Sequence, residues 1–281
     1  MYSAEPVKFC WPRSHRELRD IEAGGESLET QYLRRVELTG LPEQRCYWKE
    51  LPAVQSLWES PLLLEQPVTF LVGENGTGKS TLLEAIAVAA GFNPEGGTRN
   101  FSFSSRETHS ELYEYLRLVK GYRRPRDGFF LRAEGFYNVA TNIDEMDAAP
   151  SFSPKVIESY GGVSLHEQSH GESFLALVLN RFGGDGLYLL DEPEAALSPS
   201  RQMSLLVYLH RLVQQDSQLV IATHSPILMA YPGACIYVLS KDGGICRTAY
   251  ERTEHYVVTR EFLNHPEKML RYLLDEKDAA D

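Results

Sequence analysis

The chain has 281 residues, of which 43% are hydrophobic and 24% are charged, and its formal net charge is −11. This composition is typical of a globular protein that can bury a sizeable core, and an acidic chain gains little from counterion release, so charge alone does not suggest binding to nucleic acid. The longest nearly uninterrupted apolar stretch, residues 82–92, is too short to span a bilayer.

The first residues and the cysteines indicate where the protein acts. Glu5, Lys8, Arg13 and Arg16 leave no apolar signal-peptide core at the start of the sequence. The four cysteines form no C-x-x-C pair, which argues against a zinc site or a disulfide framework. Scattered thiols are typical of a reducing compartment. We therefore predict a cytoplasmic protein without an integral membrane segment.

Strand and helix patterns alternate along most of the chain. Residues 32–38 and the apolar run 67–72 predict strands, and residues 78–90 predict a helix. Apolar residues spaced i, i+3, i+4, i+7 predict an amphipathic helix within 107–120, and residues 128–137 predict one or two strands. Further along, the prediction is a helix from 172, a strand at 187–190, a helix at 199–214, a strand at 218–222, a helix at 226–231, a hairpin at 235–250 and a last helix from 266. Such alternation predicts an α/β fold with a parallel sheet.

A glycine-rich stretch follows the strand predicted at 67–72. Gly73, Gly78, Lys79 and Ser80 match G-x-x-x-x-G-K-[ST] in full, between a strand and a helix. Backbone N–H groups and the helix N-terminus can surround phosphate oxygens there. We expect Lys79 to be exposed and to reach the β- and γ-phosphates of ATP, and Ser80 to hold Mg²⁺. The predicted nucleotide-binding residues are Gly73, Glu74, Asn75, Gly76, Thr77, Gly78, Lys79, Ser80 and Thr81.

The apolar strand predicted at 187–190 ends in two acidic residues. Asp191 lies where a P-loop sheet places the carboxylate of its Mg²⁺ site, so Ser80 and Asp191 are the predicted metal ligands. Glu192, one residue further, is predicted to act as general base on the attacking water. Glu172 and Glu194 are the alternatives for that role.

Two further polar stretches lie beside predicted apolar elements. The strand in "LVIATHSP" (219–226) is followed by His224, so His224 and the two acids are expected at the carboxyl ends of consecutive strands, where α/β sheets collect ligands. The stretch "HEQSHGES" (166–173) precedes an apolar helix. Ser169 lies at the start of that helix, where its hydroxyl and the helix dipole can address a phosphate.

These four motifs, in this order, resemble those of ABC-type ATPases, most closely the RecF- and SMC-like branch and the stand-alone bacterial ATPases with "SHGE" and "DEPE-ALSP" motifs. The resemblance runs from about residue 32 to 239. It implies that residues 193–199 form the D-loop and that His224 is the switch histidine that contacts the γ-phosphate. It also implies that Ser169, Gly171 and Glu172 form the family signature. The predicted catalytic residues are then Glu192, His224 and Lys79.

The resemblance also implies a fold and an assembly. The expected fold is a single α/β P-loop ATPase head with a mostly parallel sheet core, an antiparallel subdomain and a small helical lobe. Its expected parts are a core at about 32–90 and 170–240, an inserted lobe at about 91–168, and a C-terminal hairpin and helix at about 235–277. ATP and Mg²⁺ are expected to join two copies head to tail, so that the signature acts in trans on the partner's P-loop.

Several positions depart from the family pattern. No glutamine lies within residues 81–167, so the usual Q-loop residue is missing, and Asn138 and Asn142 are the substitute candidates. Ser198 stands at the position of the D-loop aspartate, and His170 replaces the first glycine of the signature. The residue that stacks on adenine stays open among Tyr32, Tyr47 and Trp48. The long heptad coiled coil of SMC-like proteins is missing as well.

Three functions agree with these observations. The favoured one is an ATP-hydrolysing homodimer that acts as a switch on DNA or on a protein effector, such as a nuclease or toxin, in repair or defence. The second is the nucleotide-binding subunit of a transporter, which the missing glutamine disfavours. The third is a nucleotide-dependent regulator that hydrolyses weakly. The acidic balance favours a protein partner, whereas the basic loop with Arg123, Arg124 and Arg126 favours DNA.

Overall fold

The computed structural model describes residues 31–99, 110–148, 155–242 and 244–274. The helices of these residues are α1 (Pro52–Glu59), α2 (Lys79–Ala89), α3 (Phe136–Ala148), α4 (His170–Arg181), α5 (Pro199–Gln214), α6 (Pro226–Met229), α7 (Glu254–Asn264) and α8 (Pro266–Leu274). The strands are β1 (Leu33–Leu38), β2 (Leu62–Leu63), β3 (Val68–Val72), β4 (Leu116–Lys120), β5 (Asp127–Arg132), β6 (Gly186–Asp191), β7 (Gln218–Ala222), β8 (Cys235–Ser240) and β9 (Gly244–Arg247). Short 3-10 turns connect several of them.

The strands form two sheets. The larger has the order β5-β6-β7-β3-β8-β9, and all its neighbours run parallel except the β8–β9 hairpin. The smaller has the order β2-β1-β4 and is antiparallel. The predicted α/β fold with a mostly parallel core sheet and an antiparallel sheet is confirmed. Because β3, β5, β6 and β7 are parallel, the segments that follow them meet at one edge of the large sheet.

The large sheet is covered on both faces, which explains why its central strands are apolar throughout. Side chains alternate between the faces. Phe70 points to the face covered by α3, α4 and α5, whereas Leu71 points to the face covered by α2 and the antiparallel sheet. Residues on the first face include Phe136, Phe174, Tyr188 and Leu205, and those on the second include Val36, Leu82, Leu189 and Val220. The edge with the polar segments is therefore held by a core on each side.

The helix predicted within 107–120 is wrong. Residues 107–109 lie outside the described residues, and the rest forms a 3-10 turn (Glu111–Tyr115) followed by β4, which pairs with β1. Leu112 is buried against Trp48 and Ala85, while Leu118 lies opposite Val36. The apolar spacing thus serves two elements in succession, and pairing with a distant strand overrides the helical pattern.

Other boundaries were predicted with mixed success. The helix at 199–214 and the strand at 218–222 have the expected bounds, and the C-terminal hairpin is present, although residue 243 of its turn lies outside the described residues. Residues 128–137 form one strand, β5, and then enter α3; α7 was not predicted. Both β4 and β5 come from the stretch 91–168 expected as an inserted lobe, yet they belong to the two sheets.

Within the four described ranges, no helix is long and apolar enough to cross a membrane.

Candidate functional site

The loop between β3 and α2 is shaped by its glycines. Gly73 has φ +148°, and a Cβ added there would lie 2.1 Å from the carbonyl oxygen of Leu239, so only glycine lets β8 approach this closely. Gly78, with φ +93°, is the N-cap of α2. The Thr77 hydroxyl donates to the Glu74 carbonyl at 2.8 Å. The shape of the loop is therefore set by contacts within the chain itself.

Lys79 is the residue for which the sequence-based expectation was wrong. It is buried, with 4% of its surface exposed, rather than exposed. Its Nζ donates to the carbonyl oxygens of Gly73 at 2.7 Å and Glu74 at 2.9 Å. Burial lowers the pKa of this ammonium. The loop curls around the lysine because its own carbonyls are the nearest acceptors, so Lys79 also stabilises the loop.

Ser80 and Asp191 come together across β3 and β6. The Ser80 hydroxyl donates to Oδ1 of Asp191 at 2.9 Å, and Nε of Arg132, at the end of β5, lies 3.7 Å from Oδ2. Burial raises the pKa of Asp191 to about 6, although Arg132 and the Ser80 hydrogen bond act in the opposite direction. The two predicted metal ligands thus present a hydroxyl and a carboxylate side by side.

Glu192 adopts an unusual backbone conformation directly after β6. Its φ and ψ are both 50°, in the left-handed region, which costs a non-glycine residue on the order of 1–3 kcal/mol. The backbone N–H of Glu192 donates to the Ala222 carbonyl at 2.9 Å and so fixes it to β7. Its Oε1 lies 3.5 Å from Nε2 of His224. The strained backbone turns the carboxylate away from the strand and towards His224.

Lys79, Ser80 and Glu192 line one open cavity beside the loop, of about 300 Å³. It is lined by Asn75, Gly76, Gly78, Lys79, Ser80, Thr81, Glu134 and Glu192. Glu134, two residues after β5, was not predicted. The signal was present, because Glu134 is an acid that follows an apolar strand, as Asp191 and Glu192 do. Asn138, offered as a Q-loop substitute, instead donates to Glu95 at 3.2 Å, and neither Asn138 nor Asn142 lines this cavity.

The residues present fit a nucleotide phosphate chain. The loop is open beside Gly76, where an added Cβ would meet nothing within 4 Å, and it is cationic through Lys79. Nε2 of His224 is buried and makes no hydrogen bond to the described part of the chain. Such a nitrogen is suited to an acceptor that a ligand would bring.

The donor set also fits Mg²⁺. No cluster of three His, Cys, Asp or Glu side chains that could hold a metal occurs among the described residues. Mg²⁺ commonly takes only one or two carboxylates and completes its shell with phosphate oxygens and water. The hydroxyl of Ser80 and the carboxylate of Asp191 are the protein part of such a shell.

The signature residues lie at the start of α4, where Ser169 and Glu172 are exposed and Gly171 is buried, and none of them lines this cavity. The backbone N–H and the hydroxyl of Ser169 both donate to Oε2 of Glu172, at 3.2 and 2.5 Å, and Arg201 donates to Oε1 at 3.1 Å. The Ser169 hydroxyl is the main cause that lowers the pKa of Glu172. A Cβ on Gly171 would lie 2.6 Å from the Ala196 carbonyl oxygen, so glycine lets α4 begin against the 193–199 segment.

Glu194, one alternative for the general base, has a different partner. Its Oε1 accepts the backbone N–H of His224 at 2.5 Å, and burial raises the pKa of its carboxyl. It therefore positions the segment after β7 rather than facing the cavity. The aromatic candidates for adenine divide by burial: Tyr32 and Trp48 are buried, and Tyr47 is 65% exposed.

Two family models match the chain. One is described as "AAA domain" and matches residues 55–142, and the other as "AAA domain, putative AbiEii toxin, Type IV TA system" and matches residues 141–230. An "Uncharacterized ABC transporter ATP-binding protein" of Haemophilus influenzae is 25% identical over 198 residues, 65% of this chain and 73% of that protein. A "Putative ABC transporter ATP-binding protein" of Caldanaerobacter subterraneus is 30% identical over 190 residues, 63% of this chain and 77% of that protein. The chain belongs to the ABC-type P-loop ATPases.

The resemblance inferred from the motifs is thereby confirmed at the level of the family. Among solved structures, the SMC head domain of Thermotoga maritima aligns with a TM-score of 0.42 and 15% identity over 78% of this chain and 99% of that one. The ABC-type family implies a nucleotide-binding domain, and Mg²⁺ is typical of it. The roles of individual residues in this ABC-type ATPase stay predictions.

Proposed function

We propose that this ABC-type ATPase hydrolyses ATP with Mg²⁺, dimerises head to tail around the nucleotide, and acts as a switch on a protein partner. The observation that carries the proposal is the meeting of residues from the ends of β3, β6 and β7 at one edge of the large sheet, beside one cavity. Lys79, the Ser80–Asp191 pair, Glu192 and His224 lie at the same edge of the large sheet. We further propose that the chain acts as a single domain.

The proposed chemistry divides among these residues. Lys79 exchanges its loop carbonyls for phosphate oxygens, and Ser80 and Asp191 hold Mg²⁺. When bound, Mg²⁺ neutralises charge on the phosphates. Glu192 takes the proton of the attacking water, which forms the new bond to the γ-phosphorus while the bond to the ADP oxygen breaks. His224, beside Glu192, donates to the γ-phosphate.

The proposal of a dimer rests on the position of the signature, which lies away from the P-loop cavity of its own chain. Ser169 and Glu172 form an exposed, internally bonded cap that does not line the cavity of its own P-loop. In the proposed assembly, Ser169 and the N-terminus of α4 approach the γ-phosphate held by the other copy. ATP then favours the closed dimer because its γ-phosphate contacts both copies, and hydrolysis removes that contact.

Size exclusion of the Glu192→Gln variant tests this assembly. The variant should elute as a dimer with ATP and Mg²⁺, and as a monomer with ADP or without nucleotide. Adding Ser169→Arg should return it to a monomer while ATP binding per chain is kept. The arginine side chain is too large for the space in which the Ser169 hydroxyl approaches the γ-phosphate of the other copy. A dimer that persists with Ser169→Arg would contradict the head-to-tail arrangement.

The charge distribution supports a protein partner over DNA. In the basic loop at 120–128, Arg123 and Arg126 both pair with Asp185, at 3.0 and 3.1 Å, and Arg123 also lies 3.4 Å from Asp216. Two of its cations are thus already compensated, on a chain of net charge −11. We expect fluorescence anisotropy to detect no ATP-dependent binding of duplex DNA. Tight binding that weakens steeply with salt would instead favour DNA.

The names of the relatives support a second candidate, the nucleotide-binding subunit of a transporter. In that case the ATPase would bind a membrane-spanning protein. Crosslinking in native cells followed by membrane fractionation separates the two. Recovery of the chain with the membranes, crosslinked to a membrane-spanning partner, would favour the transporter reading.

A further inference from the structure

A second histidine lies against the proposed switch histidine. Nδ1 of His224, which follows β7, is 3.0 Å from Nε2 of His255, in the first turn of α7. The two ring centroids are 5.2 Å apart with an interplanar angle of 52°. At this distance the contact is a hydrogen bond, and one proton occupies it.

The surroundings favour the neutral form of both rings. Burial is the main cause that lowers the pKa of His224 and of His255, and the ammonium of Lys79 lowers both further. Glu192 and Glu254 act in the opposite direction on one ring each. In a neutral imidazole one nitrogen donates and the other accepts, so the direction of the His–His bond fixes the tautomer of His224.

The position of Glu192 favours one of the two directions. Its Oε1 lies 3.5 Å from Nε2 of His224, and a carboxylate oxygen accepts hydrogen bonds. The proton of His224 is therefore favoured on Nε2, which leaves Nδ1 as the acceptor. His255 then donates from its own Nε2. The opposite arrangement would direct a lone pair of His224 at the carboxylate.

The start of α7 is anchored next to His224. The Tyr250 hydroxyl donates to the carbonyl of Pro226, the first residue of α6, at 2.9 Å. The hydroxyl of Thr253, the buried N-cap of α7, donates to the Tyr250 carbonyl at 2.8 Å. His255 is thus held by the segment that follows His224, which restricts the geometry of the pair.

We propose that His255 is a positioning residue that holds His224 in the Nε2–H tautomer. This deepens the proposed function and rests on the role that it gives to His224. Only that tautomer directs a donor at a γ-phosphate oxygen, because the other tautomer would face the anion with a lone pair. Through His255, helix α7 becomes part of the γ-phosphate sensor.

Long-range ¹H–¹⁵N NMR of the ¹⁵N-histidine-labelled full chain, without nucleotide, tests the tautomer directly. We expect a protonated Nε2 and a bare Nδ1 for His224. The His255→Leu variant should lose this preference and slow ATP hydrolysis roughly 10- to 100-fold, as outer-shell partners of histidine do in metal sites. His255→Gln, whose amide can donate, should lose less. His265→Leu, the same change at the exposed end of α7, is the matched control.

The outcomes separate this proposal from the function on which it rests. A protonated Nδ1 in the wild-type protein overturns the role of His255 whatever the enzymatic results. Equal activity of His255→Leu and His255→Gln also overturns it. If His255→Leu does not fold, the tautomer of His224 in the wild-type spectrum decides the question. In contrast, wild-type hydrolysis by His224→Ala would overturn the role of His224, while the tautomer would still report on the His–His bond.

Discussion

The P-loop and the signature differ in how the chain holds them. Lys79 and Asp191 are buried at the carboxyl edge of the large sheet, where Lys79 bonds to carbonyls of its own loop and Asp191 to Ser80. Ser169 and Glu172 lie exposed at the start of α4 and bond to each other and to Arg201. The P-loop region is thus built into the core, whereas the signature is an exposed surface that does not line the cavity of its own chain. This difference is what a composite site between two copies requires.

The largest expected effect comes from Glu192, at the carboxyl edge of the large sheet. Glu192→Gln removes the proposed base but keeps a side chain of the same size, so Mg²⁺ and ATP should still bind while turnover falls by roughly 10²–10⁴-fold. Phosphate release under single-turnover conditions measures the change. Glu194→Gln provides the control, because that carboxylate holds the backbone N–H of His224. If Glu194→Gln lowers turnover more than Glu192→Gln does, Glu192 is not the base.

Lys79→Ala should weaken ATP binding next most strongly. The ammonium would supply charge-assisted hydrogen bonds of about 1.5–3 kcal/mol each, so each lost bond costs roughly 10- to 100-fold in affinity. Isothermal titration calorimetry checks this, with exposed Lys120→Ala as the control. Because Lys79 also bonds to Gly73 and Glu74, the variant's melting temperature should fall as well. Unchanged ATP affinity would remove Lys79 from the site.

Mixing two variants, each expected to be inactive alone, tests whether the signature of one copy acts on the P-loop of the other. Lys79→Ala keeps a good signature, and Ser169→Arg keeps a good P-loop. A heterodimer of the two contains one composite site with both intact parts, so partial hydrolysis should return on mixing at equal concentrations. Each variant alone at the same total concentration is the control. No recovery, despite heterodimers shown by differential tagging, would mean that the signature acts within its own chain.

The same contrast explains what the sequence could predict. Gly73, Asp191 and His224 lie at or within two residues of the ends of apolar strands, and Lys79 begins α2 directly after the loop that follows β3. A parallel sheet brings such segments to one edge without further information. The regular alternation from residue 170 to 231 likewise predicted the elements correctly. Local pattern and tertiary position agree in these regions, so the fold and the meeting of these residues at one edge of the sheet could be predicted.

The failures occur where distant contacts decide. The spacing of Leu112, Leu116 and Val119 suits a helix, but pairing with β1 makes a strand of its second half. The burial of Lys79 depends on loop carbonyls that wrap around it, which no residue pattern records. His255 lies beside His224 only because the chain returns after β9. A contact between separate elements needs the three-dimensional structure.

The smallest expected effect concerns how the chain positions the signature at the start of α4. Gly171 is in the first turn of α4, where alanine would favour the helix by about 0.5–1 kcal/mol. A Cβ there would, however, lie 2.5 Å from Nη1 of Arg201 and 2.6 Å from the Ala196 carbonyl oxygen. Arg201 can move away, but the backbone of Ala196 cannot, and such overpacking costs about 1–3 kcal/mol.

Gly171→Ala should therefore lower the free energy of unfolding slightly and displace the start of α4 from the 193–199 segment. The melting temperature should fall by a few degrees, at about 2–4 °C per kcal/mol for a domain of 150–250 residues. In the Glu192→Gln background, ATP-dependent dimerisation should weaken while ATP affinity per chain stays unchanged. Gly183→Ala is the matched control after the other end of α4, because its Cβ would meet only Oδ2 of Asp127, at 3.8 Å. If both variants dimerise like their parent, the packing of Gly171 against Ala196 does not position the signature, and Ser169 reaches its partner without that support.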